Sequence, residues 1–181
     1  MVEFSVHDTK LQCATAPDLF SPKGLDKGTE LLLEQLSDCE WHQALDWGCG
    51  WGAMALWLAK CKPQSSVIGL DSDIGAIKVA QANAHHNNLA NCQIIASHGY
   101  DDLDDILTFD LIVSNPPTHR GREVVEHMIR ESFQRLNSGG KLFIVVEARL
   151  KPWVERSMRQ YDVRARVIAR TQKHTVLRAC K

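Results

Sequence analysis

The sequence predicts an α/β protein built on a doubly wound, seven-stranded sheet, mostly parallel, with an antiparallel C-terminal strand. Three observations predict it. Short apolar runs alternate with longer stretches of helical period. The 181 residues, 44% of them hydrophobic, suit one domain with a real core. No repeat, low-complexity tract or Pro/Ser-rich linker marks an internal boundary. A single domain over residues 1–181 is expected, with 1–18 as an N-terminal extension and 19–37 as a segment and helix ahead of the first strand.

The elements follow in order. Leu25 to Leu36, carrying Leu31, Leu32, Leu33 and Leu36, is predicted to be the extra helix before strand one. Ala44-Leu45 forms the first strand and leads into Asp46 and a glycine loop, after which Met54 to Lys60 is helical, with apolar Ala55, Leu56, Leu58 and Ala59. Val67 to Leu70 is the second strand and ends at Asp71; a helix from about Ile74 to Asn88 places Ile77, Ala80 and Ala84 on one face. Cys92 to Ala96 is the third strand. Phe109 to Ser114 is the fourth, and it stops at Asn115-Pro116-Pro117 because proline removes ladder donors. A helix from about Arg122 to Leu136 turns Val125, Met128, Ile129 and Phe133 inward and is expected to stop at Gly139-Gly140. Lys141 to Val146 is strand five. A helix around Trp153 to Tyr161 and strands Val163 to Ala169 and Thr175 to Ala179 complete the pattern, the last two made antiparallel by a tight Thr171 to Lys173 link.

Composition narrows the setting. Met1 to Lys10 carries charges and lacks the apolar run of a signal peptide, and no stretch approaches the roughly 18 apolar residues of a membrane span. A cytoplasmic protein with no membrane association is expected. The six cysteines are scattered without a CxxC pair, which predicts free thiols in a reducing compartment. His85-His86 are adjacent in a predicted helix and point different ways, so no metal site is expected. The net charge of −1 conceals an asymmetry: residues 1–117 hold six lysines, no arginine and sixteen acids, a net of −10, whereas residues 118–181 carry +9 and every arginine. That C-terminal third is either a phosphate-binding surface or a set of solvated helix faces and edge-strand guards.

Two constellations carry chemistry. Asp46-Trp47-Gly48-Cys49-Gly50-Trp51-Gly52 sets alternating glycines between a strand end and a helix start, where backbone without side chains passes close to a ligand. Asp71, 23 residues past Gly48, is placed as a ribose-binding acid. Such a Rossmann-like arrangement binds a nucleotide-like cofactor. Gly48, Gly50 and Ala53 also satisfy the dinucleotide pattern, so a nicotinamide enzyme stays a rival, although Asp46 before the first glycine suits an ammonium better than a pyrophosphate. Asn115-Pro116-Pro117 ends a strand where ligands of open sheets sit. A side-chain carbonyl from Asn115 and a backbone carbonyl from Asn115 or Pro116 together suit the two N–H bonds of a planar amine, with proline stiffness holding them in place.

These residues carry a resemblance. Phe20-Ser21-Pro22-Lys23-Gly24-Leu25-Asp26-Lys27-Gly28-Thr29, the Asp46 to Gly52 loop and Asn115-Pro116-Pro117-Thr118-His119 resemble the methyltransferase small-domain family, and within it the catalytic half of bacterial ribosomal RNA guanine-N2 methyltransferases. The resemblance covers about Leu19 to the C-terminus. It implies a class I S-adenosylmethionine-dependent fold. The Gly24 to Thr29 segment would close over the cofactor through Asp26, Gly28 and Thr29. Asp46, Gly48, Cys49 and Gly50 would line its methionine part, and Asp71 with Ser72 its ribose. Asn115 would sit at the junction of cofactor and target amine, gripping the amine together with Pro116 and Pro117, and Thr118 and His119 would meet the substrate.

Two departures shape the expectation. The family's usual aromatic after the prolines is Thr118 here, so stacking on a base falls to His119 or another ring. The family's large RNA enzymes carry an N-terminal companion domain, so RNA docking is expected to rest on the arginine-rich C-terminal third. The expected activity is N-methylation of a nucleobase amine, guanine N2 of ribosomal RNA first. Methylation of a protein glutamine amide and non-catalytic cofactor or RNA binding are the alternatives. Trp47 and Trp51 are expected in the core, and Glu147, ending strand five, shows no partner in the sequence.

Overall fold

In the computed structural model, which describes residues 1–118 and 121–181, seven strands form one sheet between two helical layers. In chain order the elements are β1 (Val2–Val6), β2 (Thr9–Cys13), α1 (Lys27–Leu33), β3 (Gln43–Trp47), α2 (Ala53–Cys61), β4 (Ser66–Asp71), α3 (Ile74–His86) and β5 (Cys92–Ala96). They continue with β6 (Phe109–Ser114), α4 (Arg122–Arg135), β7 (Leu136–Glu147), α5 (Lys151–Arg159), β8 (Arg166–Arg170) and β9 (His174–Cys180). The sheet order is β5-β4-β3-β6-β7-β9-β8; the first five are parallel, and β9 runs antiparallel to both neighbours, as the sequence predicts.

The central strands are apolar on both faces because helices cover both. Ala44, Val67, Leu111, Val113 and Phe143 pack toward α1, α2 and α3, while Leu45, Ile68, Ile112, Leu142 and Ile144 pack toward α4 and α5. In α4, Val125, Met128, Ile129 and Phe133 recur at the three- and four-residue spacing of one buried stripe. Asp73 starts α3 by accepting from the amides of Gly75 (2.7 Å) and Ala76 (3.2 Å). None of the described helices is long and apolar enough to cross a membrane.

Three features differ from the sequence reading. The N-terminal extension contains a hairpin, β1–β2, whose inward Phe4, Val6, Leu11 and Cys13 are buried. It docks on α2 and α3: Trp57 Nε1 donates to the Val6 carbonyl (3.2 Å), and the Asn83 side chain pairs with both backbone groups of Ala14 (2.7 and 3.0 Å). Gly139-Gly140 does not stop α4. The helix ends at Arg135 and the chain passes directly into β7, where the glycines lie in an irregularity between Phe109 and Leu111 of the neighbouring strand. A Cβ at Gly140 would sit 2.9 Å from the Asn137 carbonyl oxygen and 3.0 Å from that of Phe109, and Gly139 has φ +79°, so both glycines serve a bulge. The first helix is also shorter than predicted, Lys27–Leu33 in place of Leu25 to Leu36, with Asp26 capping its start.

Candidate functional site

The carboxyl ends of β3, β4, β6 and β7 open onto a cavity of about 940 Å³, walled on one side by the segment from Asp18 to Thr29. The glycine loop after β3 forms its floor. Gly48, Gly50 and Gly52 all have positive φ, of 74°, 55° and 95°. At Gly48 and Gly50 a Cβ would meet nothing within 4 Å, so glycine is required there by the left-handed backbone, and the space above the loop stays free. The loop is tied to β4: the amides of Gly48 and Cys49 both donate to the Leu70 carbonyl (2.8 Å), and Gly50 N donates to Asp71 Oδ2 (2.8 Å). Asp71 Oδ1 accepts from Asp73 N (2.9 Å), which sets the carboxylate on the cavity rim. Burial pushes the Cys49 thiol well above its usual pKa, so at neutral pH it remains a thiol.

Asp46 lies elsewhere than predicted. Its side chain is wholly buried behind the loop and does not line the cavity. Oδ2 accepts from Ala55 N (2.9 Å) at the third residue of α2, supplying the cap that Gly52 cannot. Oδ1 has no hydrogen-bond partner among the described residues. Burial, reinforced by the nearby Asp71 charge and opposed by the Ala55 amide, pushes the Asp46 carboxyl up to about 8.

Asn115 is positioned by residues far away in sequence. Its Nδ2 donates to Asp26 Oδ2 and to Thr29 Oγ1, both at 3.0 Å. The same Asp26 oxygen accepts the amides of Gly28 (2.8 Å) and Thr29 (3.0 Å), capping α1. Because a carboxylate only accepts, this arrangement assigns the amide: the NH₂ is consumed by α1, and the carbonyl oxygen is the free end. Asp26 and Thr29, expected to cover a cofactor, line the cavity and also hold Asn115. Gly28 does not line the cavity; a Cβ there would meet Asp26 Oδ2 at 2.9 Å and His174 Cδ2 at 3.1 Å, so it allows the close approach of α1 to the sheet. The Pro116 carbonyl accepts from Thr118 N (2.8 Å), leaving its second lone pair available.

The structure brings Gly48, Cys49, Gly50, Asp71, Ser72, Asn115, Pro116, Pro117 and Thr118 to this one cavity. His119 lies outside the described residues. Sequence reasoning missed or set aside Glu147 and His127, which also line it; for Glu147 the available signal was its place at the carboxyl end of a central strand. The lining carries carboxylates, including Asp26, Asp71, Asp73, Asp101, Glu123 and Glu147, and no lysine or arginine among its described residues. Such a field favours a cationic ligand and disfavours a pyrophosphate.

A family model described as methyltransferase small domain matches residues 10–178. The chain is 34% identical over 169 residues to a ribosomal RNA small subunit methyltransferase C of Pseudomonas entomophila, covering 90% of this chain and 50% of the relative. It is 38% identical over 149 residues to the protein of that name from Serratia proteamaculans, covering 80% and 42%. The chain thus spans about half the length of the curated relatives it matches. Among solved structures, the T. thermophilus 16S rRNA N2 methyltransferase in complex with AdoMet and guanosine matches with a TM-score of 0.85 and 26% identity, over 99% of this chain and 49% of that one. A Pyrococcus furiosus methyltransferase shares the fold, with a TM-score of 0.78 and 22% identity over 94% and 89%.

Proposed function

The chain belongs to the methyltransferase small domain family, and on that premise we propose that it transfers a methyl group from S-adenosylmethionine to the exocyclic N2 amine of a guanine in ribosomal RNA. The carrying observation is the orientation of Asn115, whose NH₂ is held by Asp26 and Thr29 so that its carbonyl faces away from them as an acceptor. An amine donor, with two N–H bonds, is what that acceptor suits.

The residues present fit the cofactor. S-adenosylmethionine carries a sulfonium and an ammonium, and when bound it supplies an electrophilic methyl group. The acidic lining, free of lysine and arginine among its described residues, attracts that charge, the side-chain-free surface over Gly48 and Gly50 admits close approach, and Asp71 stands on the rim with lone pairs for a ribose edge. Asn115 Oδ1 and the Pro116 carbonyl accept the two amine hydrogens and aim the nitrogen lone pair, which is otherwise delocalised into the base. Pro116 and Pro117 stiffen the backbone that carries the Pro116 carbonyl, while Asp26 and Thr29 hold the Asn115 amide. The amine attacks in line and sheds its proton afterwards, so no strong base is needed at Asn115.

RNA would be held by the arginine-rich C-terminal third. Arg122, Arg130, Arg156, Arg159, Arg166 and Arg170 are exposed, which supports a phosphate-binding surface. Arg135 is not part of it, since it is buried and donates to the Asp104 carbonyl (2.6 Å). A ribosomal RNA substrate is in keeping with a cytoplasmic protein. The test is Asn115→Ala. Turnover with labelled S-adenosylmethionine and small-subunit ribosomal RNA should fall roughly 10²- to 10³-fold, the usual loss for one preorganised acceptor or donor, while calorimetric cofactor affinity stays near wild type. A variant with the wild-type rate would refute the assignment.

A further inference from the structure

We propose that Glu147 is the residue that selects guanine, by accepting the N1–H beside the amine that Asn115 and Pro116 hold; the proposal rests on the methylation reading above. Three placements support it. First, β6 and β7 are parallel neighbours with Val113 opposite Phe143 and Ser114 opposite Ile144. β6 ends one residue before Asn115 and β7 ends at Glu147, so both residues stand at the carboxyl end of the sheet and line the same cavity. Second, Thr118 Oγ1 donates to Glu147 Oε1 at 3.4 Å, so the carboxylate lies against the residue that follows the two prolines, and both line the cavity. Third, the two oxygens are unequally engaged. Arg149 Nε donates to Oε2 at 2.7 Å, whereas among the described residues Oε1 has only the long bond from Thr118 and keeps accepting capacity.

The chemistry of the bases then decides what such a site takes. Among the amine-bearing bases, only guanine carries a ring N–H donor next to its exocyclic amine; in adenine and cytosine the adjacent ring nitrogen is an acceptor. An ionised carboxylate beside the amine clamp therefore completes three donor–acceptor pairs with guanine and faces a lone pair in the others. Arg149, bonded to Glu147, holds its carboxyl below the usual range, so it is an acceptor throughout the neutral region. Glu147 touches the base edge and not the transferred methyl, so its effect is on specificity.

The experiment uses the full chain and an RNA substrate carrying either guanine or 2-aminopurine at the methylated position, since 2-aminopurine keeps the exocyclic amine and replaces N1–H by an acceptor. Wild type should favour guanine at least tenfold in kcat/KM. Glu147→Gln, whose amide can donate as well as accept, should bring that ratio within about threefold while cofactor affinity stays unchanged. A purely structural role for Glu147, holding Thr118 and Arg149, would lower both substrates together and leave the ratio at its wild-type value, which would overturn the proposal. Methylation of neither RNA by wild type would overturn the methylation reading itself, and this proposal with it.

Discussion

Asp26 offers the sharpest perturbation because one of its oxygens serves two purposes that different substitutions separate. Oδ2 caps α1 through Gly28 N (2.8 Å) and Thr29 N (3.0 Å), and it anchors Asn115 Nδ2 (3.0 Å). Asp26→Ala removes both. Loss of the cap costs about 1 kcal/mol, and loss of a charge-assisted bond at a half-buried site adds about 1 kcal/mol more. Asp26→Ser retains a good capping oxygen and loses the anionic acceptor, so its stability should fall by only about 1 kcal/mol. In both variants the Asn115 amide keeps one of its two anchors, the Thr29 hydroxyl at 3.0 Å, and is free to rotate. A turned amide presents hydrogens to a substrate that offers hydrogens. Misplacement of that order costs roughly 10- to 100-fold in rate. Single-turnover methyl transfer at saturating cofactor, alongside urea melts and cofactor calorimetry, reads these effects apart. The expected pattern is a 10- to 100-fold slower transfer in both variants, with cofactor Kd within about threefold of wild type. A Ser variant that transfers at the wild-type rate, or one slowed only through weaker cofactor binding, would refute the positioning role.

Three further outcomes follow from the geometry. Gly140→Ala should destabilise by about 1–3 kcal/mol, the usual cost of overpacking, because its Cβ meets two backbone carbonyl oxygens; the shift in urea midpoint at constant slope reads it. Asp46 holds its proton in the folded state up to about pH 8, while the unfolded carboxyl loses it near pH 4, so its contribution to stability is present in acid and is lost as pH rises from about 4 to 8. Asp46→Asn should flatten that decline in a pH series of melts, and an unchanged decline would contradict the assigned environment. Arg166→Ala with Arg170→Ala should reduce the salt slope of RNA binding by about 0.7 for each phosphate contact to a single strand; an unchanged slope would make these arginines edge-strand guards only.

What was legible in the sequence was what neighbouring residues encode. The central strands could be placed because burial on both faces makes them unbroken apolar runs, and β5 and β6 begin and end where the sequence predicts. The glycine loop, Asp71 and Asn115 could be read because strand ends fix where their side chains emerge. The β1–β2 hairpin escaped because its outward half is polar and each strand has five residues, although Phe4, Val6, Leu11 and Cys13 do alternate. Gly139-Gly140 looked like a helix stop because a bulge and a C-cap make the same demand on the backbone. The links that organise the site were beyond reach, since Asp26 and Asn115 lie 89 residues apart and meet only through the fold. Asp46 was misplaced for a related reason: its position before the loop is local, but whether its side chain faces the cavity or the start of α2 is decided by packing. The contact of Glu147 with Thr118 joins residues 29 apart and forms only where β6 and β7 lie side by side.

The proposed chemistry turns on Asn115 presenting an acceptor to a guanine amine. The most direct measurement incubates the protein with methyl-labelled S-adenosylmethionine and small-subunit ribosomal RNA, digests the RNA to nucleosides and identifies the labelled product by mass spectrometry. Label is expected in N2-methylguanosine and lost in the Asn115→Ala protein. Label on a ribose oxygen, on a different base, or only on the glutamine side chains of added protein would contradict it.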